Sequence, residues 1–133
     1  MRNFKIITML TLMLLAMSCN NPSSHKDITI ALNNGKKWEV NVEMTLLILE
    51  AENILNEYSK GDYKELAEQL EDKNKQLIKS CTMDGKSHDE LHKWLYPHMQ
   101  LIEALKDNEN KEEAATIISD LEKSFQTYNT YFK

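Results

Sequence analysis

Glycine, proline and cysteine are scarce in this chain, at three, two and two among 133 residues. So few glycines leave little room for a phosphate-cradling loop, and neither a nucleotide fingerprint nor a G-x-S-x-G elbow is present. Two cysteines cannot build the disulfide framework of very small exported domains, and the absence of C-x-x-C-H excludes covalent c-type haem. Basic residues stand singly among Glu and Asp, with no basic stripe interleaved with aromatics. That excludes nucleic acid as a partner and gives no attraction to anionic lipid head groups. No apolar run reaches the ~18 residues that would span a bilayer as a helix.

What is present begins with a leader. Arg2 and Lys5 precede an apolar run over residues 6–17 that is interrupted only by Thr8 and Thr11, the pattern of a signal-peptide core. The run ends in Leu15-Ala16-Met17-Ser18-Cys19, which resembles the lipobox of bacterial lipoprotein precursors, where a small residue precedes a Cys that is acylated and becomes the new N-terminus. Ser18 and Cys19 match; at Ala16 and Met17 Leu and a smaller residue are commoner. The resemblance implies a signal peptide over residues 1–18, lipidation at Cys19 and anchoring to the lipid bilayer of the cell envelope. No acidic run follows Cys19 in Asn20-Asn21-Pro22-Ser23, which favours a periplasm-facing location. Losing Arg2 and Lys5 with the leader takes the formal charge from −5 to −7.

Removing 18 residues from 133 leaves 115, enough for one small domain with its own core. Residues 19–37 read as lipidated Cys, polar tether and extended segment. In that segment Ile28, Ile30 and Leu32 alternate with other residues before the hairpin-type turn Asn34-Gly35. From about Glu39 the apolar period becomes helical, with Met44, Leu47, Ile48, Ala51, Ile54, Leu55 and Tyr58 on one stripe and Gly61 as the stop. Asp62-Tyr63-Lys64-Glu65 fits a capping box for a second helix ending near Ser80, with Tyr63, Leu66, Ala67, Leu70, Leu77 and Ile78 on its stripe and Asn74 interrupting it. A hydrogen-bonded contact in the core explains that Asn without a ligand. A second capping box, Ser87-His88-Asp89-Glu90, predicts a third helix with Leu91, His92, Leu95, Met99, Ile102 and Leu105 inward and a kink at Pro97. Asn110 caps a fourth, where Ala114, Ile117, Ile118, Leu121, Phe125, Tyr128 and Phe132 recur at three and four residues. The expected fold is all-α, an antiparallel up-down four-helix bundle over residues 38–133 with a short N-terminal extended or hairpin segment.

One segment concentrates chemistry. If Cys19 carries lipid, Cys81 is a lone thiol in an oxidising compartment, a liability unless it is buried, ligates a metal or pairs with another chain. Within twelve residues of it lie Met83, His88 and His92. His88 and His92 are i and i+4, one above the other on a helix, a spacing at which two imidazoles can share an ion. Sulfur with imidazole suits copper or zinc, and a thioether tilts the choice to copper. Each residue also has a plainer role: Met83 as a plug, His88 exposed in the first turn, His92 at the core edge, Cys81 as a small buried hydrophobe. His98 lies well around the helix from this pair and His25 lies in the tether.

Two further readings compete with a metal site. Met44 on helix one and His92 or His88 on helix three, closed over by Trp38, Tyr128, Tyr131 and Phe132, resemble the haem arrangement of cytochrome b562-like bundles, although helix four has no His. The other is a ligand-free module whose bundle surface docks an envelope protein partner. Catalysis is not expected: His88-Asp89-Glu90-Leu91-His92 has the spacing of H-E-x-x-H but Asp89 where the Glu base belongs, and Asp89 and Glu90 read as first-turn acids favouring the helix dipole. The region also resembles small exported helical proteins with a C-T-M-x-G-x-x-H-x-x-L-H segment, which supports treating Cys81, Met83, His88 and His92 as one unit and implies no activity.

Overall fold

A computed structural model describes residues 29–133. The leader, Cys19 and the tether with His25 lie outside the described residues. Four helices follow one another: α1 Val42–Glu57, α2 Tyr63–Lys79, α3 Gly85–Asp107 and α4 Lys111–Tyr131. Each packs against its neighbours in sequence, and α4 also meets α1. Their run is antiparallel: Asn41 at the start of α1 donates to the Ser80 carbonyl at the end of α2, and Tyr63 at the start of α2 donates through its hydroxyl to the Asn108 carbonyl just past the end of α3. This is the four-helix bundle that the apolar periodicity predicts.

α1 starts later than Glu39 because the residues before it are already committed. The Trp38 amide donates to the Tyr131 carbonyl at 2.8 Å, the Val40 amide to Lys133 at 2.9 Å, and the Lys133 amide back to Trp38 at 3.0 Å. Backbone in extended pairing cannot also be helical, so α1 waits until Val42. The extended segment is therefore stitched to the end of α4. Its own turn is a single antiparallel bridge between Asn33 and Lys36, with Asn34 at φ 51° and Gly35 at φ 80°, both in the left-handed region that such a turn requires. α1 ends at Glu57, before Gly61.

Capping decides two helix starts and fails at a third. Asp62 accepts from the amides of Lys64 and Glu65 at the head of α2, and Asn110 accepts from Glu112 and Glu113 at the head of α4. Asp62→Ala is expected to lower the unfolding free energy by about 1 kcal/mol, read from urea denaturation with an unchanged slope. The second capping box does not form. Ser87 donates to the Asp84 carbonyl, while Glu90 accepts from the Ala31 amide at 3.1 Å and pairs with Lys93 at 2.6 Å. The extended segment lies on this part of α3 and claims the carboxylate that the box would have used.

The core is formed by Met44, Ile48, Ala51 and Leu55 of α1, Leu66, Leu70 and Leu77 of α2, and Leu121, Phe125 and Tyr128 of α4. From α3 it takes Leu91, Trp94, Leu95, His98, Ile102 and Leu105. Here the sequence reading needs correction. His92 is exposed rather than inward, Met99 is half-buried, and Trp94 and His98 take the inward places. The buried stripe of α3 is rotated toward Trp94 because a large ring there removes more apolar surface from water than the imidazole at position 92. α3 continues through Pro97, which is exposed.

Candidate functional site

A groove of about 380 Å³ opens where the end of α2 meets the first half of α3. Met44, Leu91 and Leu95, all buried, form its floor. Ile78 and Cys81 border it on the α2 side, and His88, His92, Tyr96 and Met99 on the α3 side. The helical repeat produces that second border, since positions 88, 92, 96 and 99 recur at three and four residues. His88 and His92 face each other with ring centroids 4.2 Å apart and planes inclined at 58°. Cys81 is a free, half-buried thiol just past the end of α2, where the Ser80 carbonyl is tied to Asn41.

Three of the four residues in the predicted metal set thus share one groove: Cys81, His88 and His92. Met83 does not line it and packs half-buried against the core. The groove holds two other thioethers, those of Met44 and Met99. Met44 is only 1 % exposed, whereas Met99 is half-buried at the border. Among the described residues, no three His, Cys, Asp or Glu side chains stand close enough to share one ion as they are placed. A third donor must come from rotation of a side chain or from a thioether.

The aromatic cover expected over Met44 and the histidines is not there. Among the described residues, Tyr96 is the one Phe, Tyr or Trp ring lining the groove. Trp38 lies on another face of α3, beside Lys86, Glu90 and Lys93, with its indole nitrogen donating to the Ala31 carbonyl at 2.6 Å. Tyr128 and Phe132 stack on each other in the core at 5.3 Å. Pairing of residues 38–40 with 131–133 keeps Trp38 and Phe132 away from the groove that His88 and His92 border.

His98 belongs to a different environment. It is 1 % exposed, its ring stacks on Trp94 at 4.7 Å, it meets Phe125 edge-on, and Nδ1 is hydrogen-bonded to Ser124 Oγ at 2.8 Å. Burial pushes its pKa from 6.5 down to about 4, so the ring is neutral near pH 7. It is a packed core residue that the stripe of Leu91, Leu95, Ile102 and Leu105 could have revealed, because position 98 falls on that stripe. Glu90, bound by Lys93 and the Ala31 amide, serves to hold the extended segment and has its carboxyl below the usual range; burial opposes that shift, and the two hydrogen bonds outweigh it. No protein-family model, no curated protein and no solved structure matches this chain.

Proposed function

We propose that this is an exported, lipid-anchored protein that binds a soft transition-metal ion, copper before zinc, in the groove between α2 and α3, for buffering or delivery rather than catalysis. The observation that carries the reading is the meeting of two adjacent imidazoles with thiol and thioether sulfur in one groove. His88 and His92 supply the first two ligands, since their spacing on one helix costs no rearrangement of the backbone. Cys81 supplies a thiolate from the opposite border, and Met99 replaces Met83 as the thioether in reach of the same space. Imidazole with thiolate and thioether is the donor set of copper sites, and sulfur donors favour Cu(I) over harder ions. An open groove suits a protein that must release its cargo, because release needs a path for a second ligand to approach. The acylated Cys19 would hold that exchange at the membrane.

The test uses the protein from residue 20 onward, which keeps every described residue. Loading with Cu(I) under reducing conditions, and separately with Zn(II), is followed by elemental analysis and competition titration. The expected result is one equivalent of copper per chain, with affinity reduced about tenfold or more in His92→Ala and in Cys81→Ser and unchanged in Met83→Leu. Substoichiometric metal, or equal affinity in all three variants, overturns the proposal. A Soret band after haem addition that is lost in Met44→Ala would replace it with the haem reading.

A further inference from the structure

Asn74 stands on the buried face of α2 between Leu70 and Leu77 and is only 7 % exposed. The expected core hydrogen bond is missing: among the described residues nothing pairs with its amide, which instead lines a second cavity of about 340 Å³ on the α2–α3 seam. The amide atoms are not sealed from solvent, so they are left to water or to whatever enters the cavity, whereas an apolar side chain would fit the stripe of Leu70 and Leu77 better. The position makes chemical sense when something in the cavity bonds to the amide.

The rest of the lining narrows what that is. Glu71 is occupied by two cations, Lys106 at 2.8 Å and Lys75 at 3.2 Å. Glu103 and Asp107 line the same cavity and form no ion pair among the described residues. Asp107 is also the last residue of α3, where unpaired helix carbonyls add negative potential. Ile78, Met99 and Ile102 supply an apolar wall.

We propose that this cavity binds a short peptide segment, with one main-chain amide of the peptide on Asn74, a positively charged group against Glu103 and Asp107, and an apolar side chain on Met99 and Ile78. An Asn amide presents an acceptor and N–H donors in one plane, which complements the C=O and N–H of a peptide unit. A simple ammonium ion would leave the Asn74 N–H groups without an acceptor. An anion would meet two uncompensated carboxylates. The site uses none of Cys81, His88 or His92 but shares Met99 and Ile78 with the groove of the metal reading, so it is tested on metal-free protein.

The experiment titrates metal-free protein, from residue 20 onward, with the dipeptide amide Lys-Leu-NH2, following backbone amide resonances of α2 and α3. Two half-probes accompany it: acetyl-Leu amide, which has the amide without the charge, and butylammonium, which has the charge without the amide. Saturable binding of the dipeptide in the millimolar range is expected, at least about tenfold tighter than either half-probe. Asn74→Leu is expected to abolish binding while raising the melting temperature, so that loss of binding cannot be ascribed to unfolding. Glu103→Gln combined with Asp107→Asn is expected to weaken the dipeptide and leave acetyl-Leu amide unchanged. Absence of a saturable shift, equal binding of butylammonium, or undiminished binding in Asn74→Leu overturns the proposal.

Discussion

Trp94→Ala is expected to lower the unfolding free energy by about 3–5 kcal/mol, a large share of the ~5–15 kcal/mol that holds a domain of this kind together. Trp94 is 3 % exposed and lies against His98, Phe125 and Tyr128, with centroid distances of 4.7, 6.4 and 4.9 Å. Its indole nitrogen donates to the Ser124 carbonyl at 2.8 Å, a carbonyl on the neighbouring helix. Truncation removes the ring that joins α3 to α4 and leaves a cavity too well walled to collapse, because its other sides are aromatic rings. Urea denaturation with far-UV circular dichroism measures the change. A loss under about 1 kcal/mol would mean that the α3–α4 contact is not organised around this ring.

Stability is also expected to fall on mild acidification, through His98. Well above pH 6.5 the ring is neutral in both folded and unfolded chains and contributes no pH dependence. Below pH 6.5 the unfolded chain takes up a proton that the folded chain refuses until about pH 4, so the unfolded state is favoured progressively through that window. Stability therefore rises with pH between about 4 and 6.5, and lowering the pH across the window costs ~3 kcal/mol. Unfolding free energies measured at pH 7 and pH 4.5 in the parent and in His98→Leu separate this from carboxylate titration. The variant should lose much less than the parent over that interval. Parallel losses would show that the buried ring is not the source.

The groove and the core illustrate how a helix face is chosen. Along α3 the sequence offers overlapping stripes, one through His88, His92 and Met99 and one through Trp94 and His98, which share Leu91, Leu95, Ile102 and Leu105. Periodicity alone leaves the rotation of the helix open by a fraction of a turn. Packing resolves it, because Trp94 can fill the space beside Phe125 and Tyr128 that no residue at position 92 would fill. That rotation turns His92 out onto the groove and places His98 inside. Capping shows the same limit: Ser87 and Glu90 have the right spacing, but Glu90 is taken by Ala31, fifty-nine residues away in the chain.

Local chemistry determined much of this protein from the sequence by itself. The number of helices, their apolar faces on α1 and α4 and, apart from the exposed Ile78, on α2, and the caps at Asp62 and Asn110 follow from interactions within a few residues, which a linear reading can see. The nearness of His88 to His92 is of the same kind, because one helical turn imposes it. Only the tertiary structure decided the rest: the pairing of residues 38–40 with 131–133, the burial of His98 against Ser124, the exchange of Met83 for Met44 and Met99 beside Cys81, and the opening of Asn74 onto a cavity with no partner for its amide among the described residues. Each depends on partners far apart in the chain, brought together by whichever arrangement of four amphipathic helices buries the most apolar surface with the fewest voids.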